Sequence, residues 1–246
     1  MEKVLIVIPA RYGSSRLPGK PLVKIKGIEM IKRVSDIADF VCRKNESCSY
    51  LVATDDERIV LFCESREIPV MMTSTNCKSG TERCYEAVRK QDTNPGLIIN
   101  LQGDNPTCPP WILQDLIDTW RKEKADVLTA SVLLGYALAF SKQTIPAIRK
   151  EDQARDLLPK SPVRRHVGLY AYSGRAFESY FSLPPSVYER SYIEGLEQMR
   201  FLENGIKMRV VDVDYRGRET TSGVDSPEDV KRVEEILEKY GEFDLS

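Results

Sequence analysis

Apolar residues in the first half of the chain fall into two patterns that take turns. Val4 to Ile8 is an unbroken, mostly β-branched run that stops at Pro9, the mark of a strand buried on both faces. Met30, Ile31, Val34, Ile37, Ala38 and Val41 then recur at helical spacing. Tyr50 to Ala53 is a second buried run, closed by Thr54, Asp55 and Asp56. Either aspartate is placed to cap a helix running to about Arg66. Pro69 to Met72 reads as a third strand, and Thr81 to Lys90 as a helix entered through Ser79-Gly80-Thr81. Leu97 to Leu101 is a fourth strand, and Pro109-Pro110 opens a helix to about Lys122. Strands alternating with helices predict an α/β fold whose sheet is mostly parallel, with right-handed crossovers.

The second half is less regular. Val127 to Phe140 reads as β structure, and Lys142 to Pro162 as a charged, proline-bearing loop or short helix. Val167 to Tyr172 alternates as a strand, Tyr192 to Leu202 has helical spacing, and Met208 to Val213 is a further strand. Pro227 to Tyr240 is a terminal helix, capped by Ser226, with Glu228 and Asp229 in its first turn.

Bulk properties narrow the function classes. The chain has 246 residues, enough for one α/β domain with a substantial core. A formal net charge of −1 gives no global attraction for nucleic acid, so any phosphate site must be built locally. The least polar stretch, 127–140, is too short to cross a bilayer, which takes about 20 apolar residues. The 6 cysteines include no C-x-x-C pair and stand beside 1 histidine, so a zinc site is not expected. Reduced thiols in a cytoplasmic protein are the expectation.

In parallel sheets ligands collect beyond the carboxyl ends of the strands. Polar clusters fall there: Arg11 to Lys20, Thr54 to Asp56, and Gln102 to Asp104. In the first, Gly13, Ser14, Ser15 and Gly19 allow backbone N–H groups to converge on an anion, while Arg11, Arg16 and Lys20 supply charge. This is a polyphosphate-gripping design, although it lacks the G-x-x-x-x-G-K-[ST] order of a P-loop. Asp104 beside such a loop suits Mg²⁺, which takes one or two carboxylates plus phosphate oxygens, although capping the next helix or turn is the commoner role of a strand-end Asp. Asp225 reads as a second metal ligand or as a loop carboxylate. His166, the single histidine, heads a strand next to Arg164 and Arg165, where it is either structural or a donor to an anion. Glu197, Gln198 and Arg200 read by themselves as a wet helix face.

Taken in order, IPARYGSSRLPGKPL, ATDDERI, SGTER, NLQGD, HVGLYAY, GLEQMRFLENGI and GVDSPED resemble the motifs of the 3-deoxy-manno-octulosonate (Kdo) cytidylyltransferases, over nearly the whole chain. The resemblance implies a Rossmann-like nucleotidyltransferase fold: a mixed, mostly parallel sheet flanked by helices, with a smaller β-rich lobe. It implies one domain, 1–246. Residues 1–124 would form the nucleotide-binding part, about 125–215 the sugar and dimer contacts, and 216–246 the metal-ligand loop and last helix.

The implied reaction joins CTP to the anomeric hydroxyl of an acidic ulosonate sugar, most simply Kdo, releasing pyrophosphate in lipopolysaccharide or capsule synthesis. Arg11, Lys20 and Asp104 would be catalytic. Ala10, Arg11, Gly13, Ser14, Lys20, Ser79, Gly80, Arg83 and Gln102 would contact the nucleotide. Gln102, Lys142, His166, Tyr170, Glu197 and Gln198 would face the sugar, and Asp104 and Asp225 would hold Mg²⁺. A cytoplasmic homodimer, with no nucleic acid or membrane partner, completes the expectation. Three features depart from the family pattern: Asn105 in place of Glu, Lys142 in place of Arg, and a shorter segment between Asp104 and Phe140. They leave open an acceptor such as 8-amino-Kdo or another acid sugar, and a catalytically silent nucleotide-binding homologue.

Overall fold

A computed structural model describes residues 2–14, 16–91, 93–131, 135–136, 166–191, 197–221 and 223–246. The strands of the main sheet are β1 (Val4–Ala10), β4 (Cys48–Thr54), β5 (Val70–Met72), β6 (Leu97–Asn100), β7 (Val127–Ser131), β8 (Gly135–Tyr136), β9 (His166–Ser173) and β10 (Met208–Asp212). A separate hairpin is formed by β2 (Lys24–Ile25) and β3 (Ile28–Glu29). Among the described residues the main sheet has 8 strands in the order β5-β4-β1-β6-β9-β7-β10-β8. Pairings β5–β4, β4–β1, β1–β6 and β7–β10 are parallel. Of these strands, β9 and β8 run the other way.

The predicted crossovers appear as helices α1 (Met30–Arg43), α2 (Glu57–Ser65), α3 (Gly80–Lys90) and α4 (Pro110–Glu123). Beyond them lie α5 (Gly174–Tyr180), α6 (Val187–Ser191), α7 (Met199–Glu203) and α8 (Pro227–Tyr240). The open choice of cap for α2 resolves in favour of Asp56, whose side chain accepts from the Arg58 backbone N–H. Asp55 has other work, described below. Ser226 and Asp229 form a reciprocal capping box at the start of α8.

The unbroken apolar runs are explained by a core on each face of the sheet. Along β1, Val4, Ile6 and Ile8 enter one cluster, with α1, α2 and α4. Leu5 and Val7 enter the other, with α3, α5 and α7. Strand β6 divides in the same way, with Leu97 and Ile99 on one side and Ile98 on the other. Side chains alternate across a strand, so a strand covered on both faces needs apolar residues at every position.

The β reading of 127–140 holds for its described residues, which form β7 and β8, and β7, β9 and β10 belong to the same sheet as β1. One reading of the second half changes. The helix expected over Tyr192 to Leu202 is present only as Met199–Glu203, with Glu197 and Gln198 in a turn; 192–196 lie outside the described residues. Helical spacing there reflects Met199 and Phe201 turning into the core from a helix of 5 residues. The loop expected over 142–162 also lies outside the described residues.

Candidate active site

Parallel pairing sets strand ends side by side. Ala10 is level with Thr54, and Thr54 with Met72, while Asn100 ends its strand beside Val7. The segments that follow, beginning at Arg11, Asp55, Thr73 and Leu101, therefore open at one edge of the sheet. Close approach there depends on Gly103: a Cβ at this position would lie 2.7 Å from the Pro9 carbonyl oxygen, closer than real Cβ atoms come. Gly19 has φ +67°, and a Cβ on it would press on the Tyr12 hydroxyl at 3.0 Å. This turn leads into a single 3₁₀ turn, Lys20–Leu22, that carries Lys20 back over the strand ends.

The chain's two halves meet at Lys20. Its Nζ donates to Asp104 Oδ2 at 2.7 Å and to Asp225 Oδ1 at 3.0 Å, although Asp225 is 205 positions away. Arg16 reaches the other Asp225 oxygen at 3.0 Å. The Val224 backbone N–H donates to the Asp104 carbonyl at 2.8 Å, fixing one acidic residue beside the other. Val224 is in turn buried in a third apolar cluster with Ile25, Met30, Val233 and Leu237. Helix α8 thus packs on the β2–β3 hairpin and delivers Asp225 to the sheet edge.

Burial by itself would lower the Lys20 ammonium. The Asp104 charge and hydrogen bonds to both carboxylates outweigh it and hold the group above its usual 10.5. Two carboxylates converging on one ammonium mark a position that favours positive charge. An oxygen-only donor pair is also the chemistry Mg²⁺ takes, so these residues fit that ion.

A cavity of about 230 Å³ opens at this point. Its lining includes Ala10, Arg11, Lys20, Lys78, Ser79, Gly80, Arg83, Gln102, Asp104 and Asp225. Ser79 caps α3 by accepting from the Glu82 N–H at 3.1 Å. Arg83 is buried, with its guanidinium donating to Asp55 at 2.7 Å and to Thr73 at 2.7 Å. Arg11 is exposed on the rim.

Of the residues expected at the nucleotide, Gly13 and Ser14 do not line this cavity. Ser14 instead accepts from the Leu17 N–H at 3.3 Å and shapes the turn. On the sugar side, Glu197 accepts from the Thr81 hydroxyl at 2.8 Å. Gln198 and Tyr170 are buried. Burial, then Tyr172 and Glu197 nearby, push the Tyr170 hydroxyl well above its usual range. His166 begins β9, and its backbone pairs with Ser131. Lys142 lies outside the described residues.

Sequence reasoning missed the Arg83–Asp55 pair, and with it the reason Arg83 can be buried. It also missed Asn100 and Thr81, whose signal was a polar residue at the end of an apolar strand and a threonine just inside a helix start.

A mostly parallel sheet with a cationic glycine turn and paired carboxylates at its carboxyl edge defines a nucleotidyltransferase, and residues 5–209 match the cytidylyltransferase family. The 3-deoxy-manno-octulosonate cytidylyltransferase of Maricaulis maris is 39% identical, covering 98% of this chain and 99% of its own length. That of Zea mays is 35% identical, covering 94% of this chain and 80% of its own. A solved CMP-2-keto-3-deoxy-manno-octonic acid synthetase complexed with CTP superposes with TM-score 0.78 at 31% identity, over 96% of this chain and 99% of that one. The chain belongs to the 3-deoxy-manno-octulosonate cytidylyltransferase family.

Proposed function

We propose that this protein is a Mg²⁺-dependent cytidylyltransferase that activates an acidic ulosonate, Kdo itself, as its CMP derivative. The observation that carries the reading is the convergence of Lys20, Asp104 and Asp225 on the cavity at the strand ends. In the reaction the anomeric hydroxyl oxygen bonds to the α-phosphorus of CTP. The bond from that phosphorus to the bridging oxygen breaks, pyrophosphate leaves, and the hydroxyl proton passes to solvent. Negative charge grows on the departing oxygens, and positioning plus neutralisation supplies most of the catalysis.

Lys20 is held protonated and aimed at the cavity, and Arg11 extends from its rim, so both are placed to hold the triphosphate and the leaving group. Asp104 and Asp225 would hold Mg²⁺, which when bound supplies further positive charge against the phosphate oxygens. Ser79, Gly80 and Gln102 line the same cavity and are assigned to the nucleotide. Glu197, with Gln198, His166, Tyr170 and Lys142, is assigned to the sugar. The same reading expects a cytoplasmic homodimer, with contacts from about 125–215. It is supported by the similarity to the family over 98% of this chain.

Asn105 and Lys142 favour testing other acceptors, since Lys does not replace Arg at a site that grips a carboxylate with two nitrogens. A pyrophosphate-release assay with CTP, Mg²⁺ and a panel of Kdo, 8-amino-Kdo and other ulosonates checks the function. Release with Kdo is expected. Preference for another acid sugar reassigns the acceptor, and CTP binding without release from any of them identifies a silent homologue.

A further inference from the structure

A chain of hydrogen bonds, buried at its centre, runs from the nucleotide cavity to Glu197. Gln102 Nε2 donates to Asn100 Oδ1 at 2.8 Å, Asn100 Nδ2 donates to Thr81 Oγ1 at 3.4 Å, and Thr81 Oγ1 donates to Glu197 Oε1 at 2.8 Å. Asn100 is 0% and Thr81 1% exposed, so water cannot stand in for either partner. Neither residue lines the cavity, whereas Gln102 does.

The direction of this chain has a physical origin. A carboxylate only accepts, so the Thr81 proton is committed to Glu197 and the Thr81 oxygen is left to accept. Asn100 must then turn its NH₂ toward Thr81 and its carbonyl oxygen toward Gln102. Gln102 must in turn give an N–H to Asn100. Its own carbonyl oxygen is thereby left to accept, and the amide lies against Gly80, its oxygen 3.3 Å and its nitrogen 3.5 Å from where a Cβ on Gly80 would sit. Glycine at that position leaves room for the amide, and Gly80 also lines the cavity.

We propose that Asn100 and Thr81 are positioning residues that lock the polarity of the Gln102 amide, using Glu197 as the anchor. Gln102 then presents a hydrogen-bond acceptor to a donor on the bound ligands, and discriminates against a ligand with an acceptor there. The donor is an N–H or O–H group, carried either by the nucleobase or by the acid sugar. The inference rests on the cytidylyltransferase reading only for the identity of those ligands.

The test is a double-mutant cycle of Thr81→Val with Gln102→Ala, with Thr81→Ser as the conservative control. Thr81→Val should raise KM about tenfold for the ligand whose donor meets Gln102, the size of one hydrogen-bonding contact, and leave the other KM alone. Calorimetry of CTP alone distinguishes the sources: weaker CTP binding points to the nucleobase, while unchanged CTP binding with a raised acid-sugar KM points to the sugar. Thr81→Ser should stay within about twofold of the parent, and in the Gln102→Ala background Thr81→Val should add less than about twofold.

An unchanged KM for both ligands, or an equal effect of Thr81→Val with and without Gln102, overturns the proposal. Should the parent release no pyrophosphate with any ulosonate, the amide signals of Asn100 and Gln102 in ¹⁵N spectra still decide the matter. Their side-chain protons should be protected from exchange in the parent and in Thr81→Ser, and lose that protection in Thr81→Val. Equal exchange in all three overturns the relay independently of activity.

Discussion

The Lys20 ammonium lies 2.7 Å from Asp104 Oδ2, and the pair is half-buried at the carboxyl edge of the sheet. A charge-assisted contact of this length needs both groups held. Lys20 is held by its 3₁₀ turn and Asp104 by the Val224 N–H on its own carbonyl. Asp104→Ala should therefore lower turnover by about 10²-fold or more, the scale seen when one electrostatic stabiliser is removed, without unfolding the protein. Pyrophosphate release and a thermal melt on the same sample check this, and surviving turnover would remove Asp104 from the metal site.

Gly103 sits where strand ends touch. Gly103→Ala places a methyl 2.7 Å from the Pro9 carbonyl oxygen, and backbone cannot step aside as a side chain end can. The expected cost is about 1–3 kcal/mol, with Asp104 displaced. Urea unfolding and kcat measured together should show activity lost well beyond the fraction unfolded.

Arg83 is nearly fully buried and answered by Asp55. Asp55→Ala leaves that guanidinium with Thr73 and the Ser74 carbonyl but no counter-charge. Breaking a buried pair from one side costs about 3–5 kcal/mol. Denaturant midpoints should fall accordingly, whereas Asp56→Ala, which removes a cap, should cost only about 1 kcal/mol.

Acid should weaken the fold partly through Glu189. Burial pushes its carboxyl up, but the hydrogen bonds from Arg200 and from the Ser186 N–H outweigh this and leave it below its usual 4.5. A carboxyl lowered in the folded state contributes stability that is complete above about pH 4.5 and is lost as pH falls through the folded value. Glu189→Gln should be less stable than the parent at pH 7 and lose less on acidification below about pH 4.5. Urea titrations at both pH values measure the difference, and identical slopes would contradict it.

The nucleotide half was legible because local and global signals agreed there. Val4 to Ile8 and Leu97 to Ile99 carry apolar residues at every position, as a strand with a core on each face requires. Ser226 and Asp229 declare their helix start within a few residues. The meeting of Asp104 with Asp225 was not readable from periodicity, because the packing of Val224, Val233 and Leu237 on Ile25 and Met30 brings them together. The resemblance set Arg83 among the nucleotide contacts, while Asp55 or Asp56 read as a helix cap; no spacing rule links Arg83 with Asp55. Within the described part of the expected helix over Tyr192 to Leu202, spacing misled at Glu197 and Gln198, which form a turn ahead of the helix that begins at Met199.

If the glycine-lined cationic turn and the two aspartates from opposite halves of the chain form one triphosphate–metal site, a crystal structure with CTP and Mn²⁺, read by the anomalous signal of manganese, will show it. The expected result is a peak bound by both Asp104 and Asp225, with the triphosphate against Arg11 and Lys20. A peak away from this pair, or a nucleotide outside the cavity between Ala10 and Gln102, would contradict it.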